Sequence, residues 1–390
     1  MRVINSIADL RDLARRRIPR AIFDYADRGA YDELTLRRNR RDLQALEFRQ
    51  RVLCDVSRLN VAGTMLDQPV TLPLAIGPTG LTGLFHGNGE IHGARAAQAF
   101  GIPFCLSTMS ICSIEDVRAA VGEPFWFQIY LMRDRGFNQE LIERARAAQC
   151  SALMLTVDMP VQGLRRRDPK NGLSVPPRLT LRNALDVATR PAWAARVLCG
   201  RRRTFGNLAT RLAGTGSLST LSQWIASQFN PAMTWKDLDW VRSLWPGKLI
   251  VKGIMDPEDA RLAVAAGVDV IVVSNHGGRQ LDGAPSTISM LPRVVAAVDG
   301  RCPVWFDGGI QSGQDLLRAL ASGAQAGLIG KTFLYALAAL GGRGVTLALQ
   351  ILQQELEITL ALTGHADIRD VGPHILCNPA LRAAACEESP

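Results

Sequence analysis

The chain lacks the features that define several protein classes. Its eight cysteines form no CxxC pair, no Cys/His cluster and no CxxCH haem-attachment site. Scattered from Cys54 to Cys386, they fit reduced thiols in a cytosolic chain, with no metal centre and no disulfide framework. No apolar run reaches the roughly 18 residues that a membrane span requires. Met1–Arg20 has no apolar stretch ahead of a cleavage site and carries Asp9 and Asp12. Neither a secretory nor a transit peptide is therefore expected, and the expected location is cytoplasmic. Acidic residues are nearly missing from one segment: between Arg165 and Arg211 twelve basic residues face only Asp168 and Asp186, a local charge of +10. The whole chain carries +9, so the remainder sums to −1. This is a nearly neutral globule with one cationic segment, suited to an anionic surface.

With 47% apolar and 21% charged residues the chain is globular. Short apolar runs recur at Leu72–Ile76, Phe104–Leu106, Trp126–Tyr130, Leu153–Val157, Leu249–Val251, Val270–Val273, Val304–Phe306 and Gly327–Ile329. Unbroken apolar character over so few residues predicts strands covered on both faces of a parallel sheet. Helical patterns lie between them, at Glu90–Phe100, Ile114–Val121, Gln139–Gln149, Pro257–Ala266 and Gly313–Ser322. Asp256-Pro257-Glu258 is typical helix-start chemistry. Eight strands alternating with helices predict an α/β fold, a (β/α)8 TIM barrel. The 390 residues then form a single domain: a helical cap over 1–45 (helical from Ile7 to Leu43), an insertion over 165–233 after strand four, and a long helix near Val345–Leu362.

Barrel active sites form at the C-terminal ends of the strands. Here those ends carry Asp158, Lys252, the string Ser274-Asn275-His276-Gly277-Gly278-Arg279-Gln280-Leu281-Asp282, Asp307-Gly308-Gly309 and Gly330-Lys331. Polar loops alone do not account for this set. Two glycine-rich ends after strands seven and eight fit a phosphate held on backbone N–H groups. His276 fits a proton acceptor, Arg279 a carboxylate fork, and Asp158 a group that orients the imidazole.

The string SNHGGRQLD, together with LTVD at 155–158, FQIY at 127–130, VKG at 251–253, FDGG at 306–309 and FDYADRGAYDE at 23–33, resembles the FMN-dependent L-2-hydroxy acid dehydrogenase/oxidase family. The likeness runs from about Ile7 to Ile375 and weakens in the insertion. It implies an oxidoreductase acting on CH–OH donors with noncovalent FMN, L-lactate being the first expected substrate and mandelate the second. By resemblance, Pro78, Thr79 and Gly80 approach the flavin ring by backbone, and Ser107, Gln128, Thr156 and Ser274 bond the ring and ribityl chain. Lys252 stands at the N1/O2 edge, where positive charge stabilises the reduced flavin. Asp307, Gly308, Gly309, Gln311, Gly330 and Lys331 take the ribityl and phosphate groups. Arg165 and Arg279 grip the substrate carboxylate, Tyr25 and Tyr130 bond its polar groups, and His276, supported by Asp158, is the base. The proton taken by His276 comes either from the α-carbon or from the hydroxyl.

Two positions depart from the family pattern, which has arginine where this chain has Gln311 and Lys331. Glutamine gives up a charge, and lysine replaces a fork by a point charge. Met109 takes a pocket position that varies in the family. Gly80 and the basic insertion lean towards the dehydrogenases that pass electrons to a membrane quinone, against an oxygen-using oxidase. The insertion, with Trp193, Val197, Leu198, Phe205 and Leu208, is expected to touch anionic lipid peripherally on the inner face of the membrane. No nucleic-acid fold accompanies the cationic segment, so nucleic acid is not an expected partner. A homo-oligomer is expected from the family.

Overall fold

The structure, a computed structural model, describes residues 3–172, 180–209 and 228–377. Strands β1 (Gly63–Met65) and β2 (Gln68–Val70) form an antiparallel hairpin, and eight further strands form the barrel. These are β3 (Leu74–Ile76), β4 (Cys105–Ser107), β5 (Trp126–Ile129), β6 (Ala152–Thr156), β7 (Lys248–Ile254), β8 (Val270–Val273), β9 (Val304–Asp307) and β10 (Ala326–Ile329). All pairings are parallel in the order β3-β10-β9-β8-β7-β6-β5-β4, and a parallel bridge between Ile76 and Phe104 brings the two edges together. Each predicted run lies on its strand within two residues, except that β7 is longer at both ends. Its extension passes through a register shift between Lys252 and Ile254. Gly253 makes the shift possible: its φ is +114, and a Cβ there would stand 2.7 Å from the Cβ of Asp158.

Side-chain alternation divides the strands between two cores. One set fills the barrel interior, where the Trp126 and Trp305 rings stack 5.3 Å apart, and Met65 and Val70 of the hairpin pack against this set. The other faces the surrounding helices. The hairpin has no prediction behind it, because its turn places Leu66 and Asp67 at φ 49 and 64 without an Asn-Gly signal. Helix starts follow capping chemistry: Asp256 accepts from the Glu258 N–H at 2.7 Å. The helix predicted from Gln139 starts earlier, at Arg135, because Asp134 caps it.

The N-terminal cap consists of three helices, Ile7–Arg17, Arg20–Asp27 and Leu34–Gln44. Among its ties to the barrel is a reciprocal amide pair, with Asn39 donating to Asn275 at 2.8 Å and Asn275 donating back at 2.9 Å, both buried. Two buried amides that satisfy each other fix the register of the cap on the barrel mouth.

In the insertion, helices run over Arg167–Lys170, Leu181–Ala188 and Pro191–Leu198. The expected apolar lipid face is corrected here. Leu208 is buried, Phe205 and Val197 are half-buried, and the Trp193 indole donates to the Leu84 carbonyl at 2.7 Å. Of the five residues only Leu198 is exposed; Leu181, Leu185 and Val187 are the other large exposed apolar groups of these helices. The insertion also packs on the loop that follows β4 of the barrel. Buried Asn207 accepts from the Ile114 N–H at 2.9 Å and donates to Ser110 Oγ at 3.0 Å. Arg178 and Arg211 lie outside the described residues, as does the side chain of Arg182. Among the described residues no helix is long and apolar enough to cross a membrane.

Candidate active site

A cavity of about 340 Å³ opens at the C-terminal ends of the strands, beneath the cap. Of the predicted residues, Tyr25, Pro78, Thr79, Gly80, Ser107, Tyr130, Thr156, Arg165, Lys252, His276, Arg279, Asp307, Gly308, Gly309, Gln311, Gly330 and Lys331 line it. Gln128, Asp158 and Ser274 stand behind this wall and bond to it. Glycines and charged groups more than 250 residues apart thus converge, because each closes a different strand.

At one end His276 Nδ1 lies 2.9 Å from Asp158 Oδ1. The backbone turns sharply there: His276 has φ 59, followed by Gly277 at 64 and Gly278 at 70. Gly278 has no alternative, since a Cβ would stand 2.5 Å from the Leu36 backbone nitrogen. The strained turn places the imidazole at the cavity wall and brings Arg279 back under the cap. Burial pushes the His276 imidazole below the usual histidine range, although the charge and hydrogen bond of Asp158 oppose it. Burial alone would raise Asp158, but His276 and Lys252 hold it below the usual carboxylate range. A neutral imidazole beside a carboxylate is a base whose cation has a partner ready.

Arg279 donates to the backbone carbonyls of Tyr25 and Arg28, and its guanidinium lies 4.7 Å from the centre of the Tyr25 ring. The Arg165 guanidinium lies 5.9 Å from the same ring. Burial and the nearby Arg165 lower Arg279 to about 10, still cationic at neutral pH. Two guanidiniums, Arg165 buried and Arg279 half-buried, facing one small space invite an anion. Burial raises the Tyr130 phenol, with Asp158 adding to the shift, so it stays a neutral hydrogen-bonding group.

In the middle of the cavity Lys252 Nζ is 2.8 Å from Ser274 Oγ and 2.7 Å from Asp307 Oδ2, and Ser274 Oγ donates to Asp307 at 2.7 Å. Burial would lower Lys252, but Asp307 and Asp158 hold it above the usual lysine range. Nearby, Ser107 Oγ donates to Gln128 Oε1 at 3.0 Å. Gln128 Nε2 and Thr156 Oγ1 are buried without a partner. Orphaned buried polar atoms beside a cavity await a polar ligand.

The far end is built from Gly308, Gly309, Gln311, Gly330 and Lys331. Helix Lys331–Leu340 begins there, so its N-terminus faces the space. Lys331 Nζ donates to the Asp27 carbonyl at 3.3 Å. Burial and the nearby Arg279 push its ammonium down to about 7.

The cavity also holds residues that sequence reasoning missed: Arg40 from the cap, Asp168, and Phe205 and Phe229 from the insertion. Burial raises Asp168, with Arg279 and Arg165 opposing. Nothing in the charge count of the cationic segment signals that it also supplies cavity residues. Among the described residues no cluster of His, Cys, Asp or Glu fits a metal ion.

Comparison with known proteins agrees with this geometry. Residues 14–378 match the family described as FMN-dependent dehydrogenase. The L-lactate dehydrogenase of Caulobacter vibrioides is 46% identical over 382 residues, covering 98% of this chain and 100% of that protein. The L-lactate dehydrogenase of Acinetobacter baylyi is 45% identical over 375 residues, covering 96% of this chain and 97% of its own. Among solved structures, an (S)-mandelate dehydrogenase described as a monotopic membrane protein has a TM-score of 0.92 at 37% identity, covering 97% of this chain and 100% of that one.

Proposed function

Because the chain belongs to the FMN-dependent dehydrogenase family, we propose that it oxidises a small L-2-hydroxy acid, L-lactate first, to the 2-oxo acid, with His276 as the base. The observation that carries this reading is the cavity end at which His276, Asp158, Arg165 and Arg279 meet. The residues present fit FMN: glycine-lined backbone and cations at one end, Lys252 in the middle, and the unpartnered Gln128 Nε2 and Thr156 Oγ1 beside it. When bound, FMN supplies the two-electron acceptor for the substrate's C–H bond.

Arg165 and Arg279 hold the substrate carboxylate, which fixes the α-carbon relative to the imidazole. Tyr25 and Tyr130 bond the substrate's polar groups. His276 takes a proton from the substrate, and Asp158 stabilises the imidazolium that results. Lys252, kept cationic by Asp307 and Asp158, supplies positive charge where negative charge builds up. Pro78, Thr79 and Gly80 form the floor of the site, with Ser107 and Ser274 completing the polar shell. Anaerobic bleaching of the flavin by a panel of L-2-hydroxy acids tests substrate class. L-lactate is expected to bleach it fastest; no bleaching by any member of the panel overturns the reading.

The proposed acceptor is a quinone at an anionic membrane surface, reached by peripheral attachment of the insertion. Exposed Leu181, Leu185 and Leu198, with exposed Arg196, Arg201 and Arg203 nearby in sequence, support attachment. So does the solved relative described as a monotopic membrane protein, and relatives named L-lactate dehydrogenase, as opposed to oxidase, support an acceptor other than oxygen. Each cation near such a surface contributes about 1 kcal/mol. Sedimentation with anionic vesicles at low salt should pellet the protein, and high salt should release it. Faster reoxidation of the bleached protein by oxygen than by quinone would make it an oxidase.

A further inference from the structure

We propose that Arg40, carried by the N-terminal cap and not by the barrel, supplies to the FMN phosphate the fixed cation that Gln311 does not. The inference rests on the reading of the cavity as an FMN site.

Arg40 lies on the helix Leu34–Gln44, yet it lines the cavity together with Gly309, Gln311, Gly330 and Lys331. Its Nη1 donates to the Gly309 carbonyl and to Asp315 Oδ2, the latter at 2.6 Å. Both bonds leave from one nitrogen. Among the described residues Nη2 and Nε make no hydrogen bond, so the fork keeps donors in reserve. The ion pair does not cancel the charge. Asp315, 1% exposed, also faces the Arg318 guanidinium at 3.5 Å and accepts from the Gln311 N–H at 2.9 Å. One carboxylate serves two arginines, and the trio keeps a net positive charge.

The other cation at this end is Lys331, which burial and Arg279 push down to about 7. Before an anion arrives it is only partly charged at neutral pH, whereas a guanidinium is always charged. Gln311 brings an amide side chain and no charge. Arg40 is therefore the one permanent cation of this cavity end among the described residues, and it is already oriented by two bonds. A phosphate dianion there meets a preorganised fork at low entropic cost. Were Arg40 only a tether between cap and barrel, its contribution would not depend on whether the ligand has a phosphate.

That difference gives the test. Flavin-free protein is titrated with FMN and with riboflavin, which lacks the phosphate, following flavin fluorescence. Arg40→Met is expected to weaken FMN binding about 10- to 100-fold, the value of a hydrogen bond to a charged group, and to leave riboflavin binding within about twofold. Adding Gln311→Arg to Arg40→Met is expected to recover most of the FMN loss. Equal loss of both flavins, or no loss of FMN, overturns the proposal. Should Arg40→Met fail to fold, Arg40→Gln keeps a hydrogen-bond donor towards Asp315 and Gly309 while losing the charge. Loss of FMN alone then supports the proposal, and equal loss of both flavins or no loss overturns it. Wild-type protein that binds neither flavin would overturn the FMN reading itself, a separate result.

Discussion

The two ends of the cavity are built on different principles. At the reaction end the charged groups lean on one another: His276 bonds Asp158, and Arg279 and Arg165 share the Tyr25 ring, while next to them in the middle of the cavity Lys252 is held between Ser274 and Asp307. Shifts there are mutual, so replacing one group changes its neighbours. The far end is mostly backbone from Gly308, Gly309 and Gly330 plus cations that need not come from one element. Geometry is specified at the first end and net charge at the second. A phosphate tolerates exchange of its cation donors; a proton transfer does not tolerate displacement of its base.

The sharpest way to break this contrast is at His276, the proposed base. His276→Asn should retain flavin and lose hydroxy-acid-driven bleaching by about 10²- to 10⁴-fold in stopped-flow measurements. Near-normal bleaching would remove His276 from that role. Arg279→Met should cost on the order of 100-fold in kcat/KM, since a charged fork to the carboxylate is lost. Flavin titration is the control, because Arg279 also ties the Tyr25 and Arg28 carbonyls of the cap.

Asp158→Asn sharpens the comparison through pH. The carboxylate raises the proton affinity of His276 against the burial that lowers it. Its removal should move the acid limb of kcat/KM to lower pH while the plateau falls about 10-fold or more, because the imidazolium loses its partner. A limb that moves to higher pH would contradict the assigned contact.

Much of the reaction end was legible in the sequence because chemistry and strand ends coincide there. SNHGGRQLD reads as a turn with a base and a fork, and the positive φ values of His276, Gly277 and Gly278 explain the two glycines. The strands were equally legible, since residues buried on both faces need unbroken apolar character. Arg40 was not. It sits in an arginine-rich helix whose pattern says only that one face is solvated, and its position depends on the Asn39–Asn275 pair, a contact across 236 residues. The hairpin packed against the barrel interior was hidden because its turn relies on Leu66 and Asp67 in place of the usual turn residues. The buried insertion residues were misread because an Arg-rich run with scattered aromatics looks alike whether it faces lipid or packs on a barrel.

The smallest expected effect tests the charge side of the comparison, at Lys331. In the flavin-free protein its ammonium is pushed from the ordinary 10.5 down to about 7. Between those values the unfolded chain binds a proton that the folded chain does not, so flavin-free stability should rise with pH from about 7 towards 10.5. A bound phosphate dianion favours the charged form, so FMN binding above pH 7 must take up a proton. FMN affinity should consequently fall as pH rises above about 7, by less than 10-fold per pH unit, while riboflavin affinity stays level. Lys331→Arg carries a cation that does not titrate in this range. It should flatten the FMN profile and tighten retention at alkaline pH, since a fork replaces a point charge. Isothermal titration in buffers of different ionisation enthalpy reads the proton uptake directly. Equal slopes for the wild type and Lys331→Arg would show that Lys331 does not meet the phosphate, and the charge at this end would then rest on Arg40 and the backbone.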